Sequence, residues 1–200
     1  MMILGILVMG SEHSLGKRSV EVWSPSEEGS CVLENFPRDM ANDPTINFIS
    51  GRLIACFWKS CEIYNNGTGA WTKLSDTEHY RQMGSAAQKD DKVLLIAGWS
   101  TRSTEWIPLD GSGSQNGPIS SVRHKRLHCT IQVSDDVIIV TGGAEDTNKY
   151  VTEYQLSDGT STVLADLTHG RDDHACAVYQ DAADQQVTKL YCMFVFNRLQ

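Results

Sequence analysis

The stretch Leu94-Leu95-Ile96-Ala97-Gly98 is an apolar run closed by a glycine, and it returns as Ile138-Ile139-Val140-Thr141-Gly142-Gly143. Weaker copies precede it as Leu53-Ile54-Ala55-Cys56 and Leu7-Val8-Met9-Gly10, so that Gly10, Cys56, Gly98 and Gly142 follow one another at intervals of 46, 42 and 44 residues. A second, alternating run follows each: Val20-Glu21-Val22-Trp23, Cys61-Glu62-Ile63-Tyr64, Thr104-Glu105-Trp106-Ile107 and Thr152-Glu153-Tyr154. Turn residues come next at Gly29, Gly67-Thr68-Gly69, Asp110-Gly111 and Asp158-Gly159, the types that supply positive φ in a tight reversal.

Upstream of each apolar run lies a leading element, marked by Gly84-Ser85-Ala86-Ala87, His128-Cys129-Thr130-Ile131 and His174-Ala175-Cys176-Ala177. Arg81 and Arg171 stand three residues before it, with Lys125 in the equivalent place and Arg126 beside it. With a closing strand at Trp71-Thr72-Lys73-Leu74 or Thr162-Val163-Leu164, each period holds four short strands. No segment shows the 3.6-residue apolar period of a helix. Four antiparallel strands every 42 to 48 residues predict an all-β chain of β-propeller blades. The continuous apolar runs are then central strands buried on both faces between neighbouring blades.

The chain resembles the kelch-repeat family, within the galactose oxidase-like propellers. The resemblance rests on Gly142-Gly143 ending an apolar strand, Tyr154 about a dozen residues on, and Trp71 closing the unit before. The repeat glycines are Gly10, Gly98, Gly142 and Gly143, only one unit keeps the pair, and the third has Gly111 to Pro118 in place of a closing tryptophan, read as a flexible loop. Approximate units are 1–37, 38–80, 81–123, 124–170 and 171–200, the first and last incomplete. Either the terminal strands share a blade in a four-bladed ring, or the chain is part of a larger ring, which the resemblance puts at about six blades. The second is preferred, and it would leave apolar blade faces uncovered.

Composition is that of a soluble globular chain, 40% hydrophobic and 21% charged. A net charge of −8 argues against a nucleic-acid partner, which needs a concentrated basic surface. No run reaches the roughly 18 apolar residues of a membrane span, and residues 1–10 align better as a strand than as a signal segment. Cys56 and Cys61 flank a turn between adjacent strands and are placed for a cross-strand disulfide, with two buried thiols as the alternative. The compartment, cytoplasmic or extracellular, stays open, as does the meaning of the sequon formed by residues 66–68.

Chemistry-bearing patterns are few. His124 and His128, and His169 and His174, lie four and five apart without a helix to align them as metal ligands, so neither metal nor cofactor is expected. His128 and His174 hold equivalent repeat positions and are expected to do the same structural task twice. Copper radical oxidases share the architecture, but their cysteine-linked tyrosine and ligand set do not map onto this sequence. The expectation is a non-catalytic module that binds a protein or peptide through loops on one face. Its candidate residues are Tyr80, Arg81, Trp99, Arg102, Arg123, Arg126 and Arg171. The preferred reading of the arginines is that each bonds carbonyls of the neighbouring blade and staples the ring; aligned around the central channel they would also suit a carboxylate-bearing peptide. An extracellular, disulfide-containing carbohydrate- or matrix-binding propeller is the other reading.

Overall fold

Val93 and Leu95 face one neighbouring sheet while Leu94 and Ile96 face the other, which is why this run is apolar at every position rather than at alternate ones. Val93, Leu95 and Ile107 pack with Ile54, Cys56, Cys61 and Leu74. Leu94 and Ile96 pack with Ile138, Val140, Tyr154 and Leu156. A side chain so buried contributes about 1.5–3 kcal/mol, and the period-2 alternation of a strand delivers that burial to both sides. On the far side of Ile54 and Cys56 the packing is aromatic: Phe36 meets Phe57 and Trp71 edge to face at 5.2 and 4.7 Å, in one cluster with Leu53 and Ala55.

The structure, a computed structural model, describes residues 6–9, 20–23, 30–32, 36, 44–49, 52–65, 67–180 and 188–194. These are all β apart from one 3-10 turn at Glu145–Thr147. Three sheets are four-stranded antiparallel meanders. The first is β4 (Thr45–Ile49), β5 (Arg52–Phe57), β6 (Ser60–Asn65) and β7 (Ala70–Asp76); the second is β8 (Ser85–Lys89), β9 (Lys92–Ile96), β10 (Thr104–Pro108) and β11 (Gln115–Asn116). The third is β12 (Cys129–Gln132), β13 (Val137–Thr141), β14 (Val151–Gln155) and β15 (Ser161–Val163). A three-stranded sheet of β1 (Ile6–Met9), β2 (Val20–Trp23) and β3 (Ser30–Val32) precedes them, and the pair β16 (His174–Gln180) and β17 (Thr188–Phe194) follows.

The leading strands β4, β8, β12 and β16 contact one another in that order. The sheets therefore converge on their first strands, the radial arrangement of propeller blades. The described residues show no closed ring. Side chains stitch these inner strands together: Asn47 donates to the Ala86 carbonyl at 2.8 Å, and Gln132 donates to the Gln88 carbonyl while accepting from its N–H. They border a 580 Å³ cavity whose lining includes Thr45, Ser85, His128 and Thr130 and none of the candidate arginines.

Three sequence readings change in the structure. Residues 111–118 are not wholly loop, since Gln115 and Asn116 form β11 and pair with Trp106 and Glu105. The glycine alignment slips by one: Ala97 and Gly142 are equivalent, because each donates to the carbonyl just before the next strand, Ser103 at 3.1 Å and Tyr150 at 2.9 Å. Both have positive φ, 50° and 64°. A Cβ on Gly142 would lie 2.4 Å from the Arg171 carbonyl, and one on Gly98 would lie 2.4 Å from that of Tyr80, so close backbone approach adds to the demand for glycine. Gly10 lies outside the described residues. Finally, Glu62 and Glu105, the polar positions of the alternating runs, are both buried.

Candidate binding face

In a four-stranded meander the connection between the second and third strands and the connection to the next sheet emerge at the same end. Here that end gathers residues 58–59, 97–103 and 142–150 with the inter-sheet loops 77–84, 117–128 and 164–173. Backbone bonds lace these loops together, from Arg81 to Trp58, Gly143 to Arg171, Ala144 to Arg126 and Leu127 to Met83. The opposite end carries Asp90, Asp91, Asp110, Asp135, Asp136 and Asp158 on its turns.

Arg81 is not a rim residue. It is 1% exposed, and its guanidinium donates to the Glu105 carboxylate at 3.0 and 2.9 Å and to the carbonyls of Ala97 and Ser103. Desolvation alone would make such a buried cation costly, and this full set of partners offsets it. Glu105 also accepts from the Glu78 N–H at 2.8 Å. The staple lies within Arg81's own sheet, whereas its carbonyl accepts from Thr45 of the preceding one.

The equivalent staple in the next sheet is His124, not Lys125 as the spacing predicts. Nδ1 of His124 faces the Gly142 carbonyl at 2.7 Å and so carries the proton; Nε2 then accepts from the Thr152 hydroxyl at 3.0 Å. Thr152 stands where Glu105 does, each one residue into its strand. A buried ion pair in one sheet is thus a neutral pair in the next. Burial, with the nearby Arg123 and Arg102 charges, holds the His124 pKa at about 4. His128 is likewise held to about 4 by burial; its Nδ1 donates to the Lys125 carbonyl and its Nε2 accepts from Ser85 of the preceding sheet, both at 2.8 Å. His174 reaches back the same way, Nε2 to the Thr141 hydroxyl at 2.9 Å. The two repeat-equivalent histidines therefore both tie a leading strand to the preceding sheet.

The remaining candidates stay on the face. Trp99 is 49% exposed, and the Arg126 guanidinium lies 4.5 Å from its ring centre; Arg126 also stands 3.7 Å from Glu145. Tyr80 is 40% exposed and meets the 52% exposed Trp58 edge to face at 6.2 Å, with Lys59 over the Tyr80 ring. Trp58 was missed by the sequence reading because it follows an apolar strand and reads as its continuation. Arg123 is stacked 3.7 Å over Tyr150, and its N–H donates to the Tyr154 hydroxyl. Arg102 is exposed and its side chain makes no hydrogen bond or ion pair with a described residue. Arg171 is half-buried, its carbonyl taken by Gly143. A 270 Å³ hollow is bordered by Trp99, Arg102, Lys125, Arg126 and Glu145. Lys125 is held by Glu145 and Asp146, which raises its pKa.

Two disulfides join described residues. Cys56–Cys61 crosses β5 and β6 with Cα atoms 4.1 Å apart, and Cys129–Cys176 joins the leading strands β12 and β16 of adjacent sheets at 6.1 Å. The second escaped the sequence reading, since its 47-residue separation carries no turn signal. Among the described residues no group of three or more histidine, cysteine or acidic side chains could hold a metal ion, and no helix is long and apolar enough to cross a membrane.

No protein-family model matches the chain, and no curated protein does. A solved structure described as "Structure of YjhT" is similar, with a TM-score of 0.66 and 11% identity, over 78% of this chain and 62% of that one. At that identity the likeness is one of fold. This chain spans less than two thirds of the other's length.

Proposed function

We propose that the chain is a kelch-type, non-catalytic propeller portion that binds a partner protein or peptide on the loop face. The observation that carries this reading is the pair of exposed aromatic–cation clusters on one face, Trp58 with Tyr80 and Lys59, and Trp99 with Arg126. Tryptophan, tyrosine and arginine are the residues that dominate binding energy at interfaces, since they bury large areas and keep directed donors. Two clusters one repeat apart offer anchors for one partner. Of the histidines on the face, His124, His128 and His174 are engaged in structural hydrogen bonds, so these three serve the scaffold rather than acid–base chemistry. The test is photo-crosslinking in lysate with a benzophenone amino acid at position 58 or 99, against position 112 or 158 at the opposite end. Discrete adducts at 58 and 99 alone are expected; equal or no adducts at the two ends would count against a loop-face binder.

The two disulfides favour an oxidising compartment for this module, the setting of the carbohydrate- or matrix-binding alternative. Intact mass before and after reduction of protein isolated from its natural source decides it: a gain of four hydrogens is expected, and no gain excludes the compartment.

A further inference from the structure

Cys176 stands between two cysteines. It is bonded to Cys129 across the junction of β12 and β16, with Cα atoms 6.1 Å apart. Within its own sheet, the register sets Cys192 of β17 directly opposite it. Directly opposed residues of an antiparallel pair share one face, with Cα atoms about 4.5 or 5.5 Å apart, and both spacings fall within the roughly 4.4–6.8 Å that a disulfide spans. The same relation is already bonded elsewhere in the chain: Cys56 and Cys61 are opposed in the register of β5 and β6 and form a disulfide. Cys129 is half-buried and borders the 580 Å³ cavity between the leading strands.

We propose that Cys192 is a thiol exchange partner for the Cys129–Cys176 disulfide, so that the link shifts between two positions. The Cys192 thiolate attacks Sγ of Cys176. A Cys176–Cys192 bond forms, the Cys129–Cys176 bond breaks, and Cys129 leaves as a thiolate that takes up the proton Cys192 gave up. One thiol and one disulfide stand on each side of the step, so it consumes no oxidant or reductant. Its consequence is mechanical. Bonded to Cys129, Cys176 clamps the third sheet to the final strand pair; bonded to Cys192, it closes a link inside that pair. The junction is then left to noncovalent ties such as His174 with Thr141, the Gly143 N–H with the Arg171 carbonyl and the Arg171 N–H with the Asn148 carbonyl. This device is independent of the loop-face reading.

The test is incubation of the whole chain without added thiol at about pH 8, where a cysteine is partly thiolate, followed by acid quenching, alkylation with N-ethylmaleimide and non-reducing peptide mapping by mass spectrometry. Two linked species are expected, Cys129–Cys176 with Cys192 alkylated and Cys176–Cys192 with Cys129 alkylated. Cys192→Ser should lower Cys129 alkylation roughly tenfold or more, because the exchange loses its nucleophile. No Cys176–Cys192 peptide in the unaltered chain, or Cys192 found bonded to another residue, overturns the proposal. Forming that peptide in Cys129→Ser alone shows proximity without exchange and also overturns it. A Cys129–Cys192 peptide in Cys176→Ser at the same yield means unselective pairing and does so too. Crosslinking at positions 58 and 99 reports on the loop face separately, so either reading can fail while the other stands.

Discussion

Arg81 and His124 show what a single residue decides here. Each fills the same niche under a loop, one as half of an ion pair with Glu105 and the other as a neutral ring bonded to Gly142 and Thr152. Removing charge from only one member strands the other, so Glu105→Gln is expected to destabilise the chain by about 3–5 kcal/mol, measured by urea unfolding at neutral pH. The neutral histidines set a pH dependence. His124 and His128 have folded pKa values of about 4, below the ordinary 6.5 of the unfolded chain. The unfolded state thus binds more protons between those values. Stability is full above pH 6.5 and falls as pH drops towards 4, by on the order of 3 kcal/mol per histidine. Urea midpoints at pH 7.5, 5.5 and 4.5 check this, and a flat profile would contradict it. The exposed acids Glu145 and Asp146, their pKa values lowered chiefly by Lys125, add loss in the same direction at the acid end.

At the scale of elements, the strands were legible and the staples only in part: arginine stapling was foreseen, but towards the neighbouring sheet, whereas Arg81 bonds Glu105 and the carbonyls of Ala97 and Ser103 in its own. A run buried on both faces must be apolar at every position, so β5, β9 and β13 stand out in the sequence. The turns at Asp110-Gly111 and Asp158-Gly159 do so because positive φ at Gly111 and Gly159 selects the residue. By contrast, the loop-to-strand spacing differs between sheets: Arg81 lies four residues before β8 and His124 five before β12. Spacing alone therefore aligned Lys125 with Arg81. The candidate face was legible as Trp99, Arg102 and Arg126 but not Trp58, and Arg81 was placed there because sequence shows charge and not burial. The Cys129–Cys176 link is where element stability should show most. Cys129→Ser with Cys176→Ser is expected to speed amide exchange several-fold in residues 174–180 and 188–194 while residues 85–108 keep their protection. Exchange read by mass spectrometry checks it; uniform change across the chain would mean that the link holds no local unit.

For the molecule as a whole, a chain of net charge −8 places acidic turns at one end and aromatic–cation clusters at the other. Loops tied to one another by backbone hydrogen bonds present those clusters with little ordering cost, so binding should be governed by which end is altered. The direct measurement is quantitative affinity capture from the native source, comparing three proteins of equal folded fraction: the unaltered chain, a Trp58→Ala, Trp99→Ala double variant, and an Asp90→Lys, Asp135→Lys double variant at the opposite end. The account predicts a set of captured proteins that falls at least tenfold with the tryptophan variant and persists with the aspartate variant. Capture unaffected by loss of both tryptophans, or abolished only by the opposite-end variant, would contradict it.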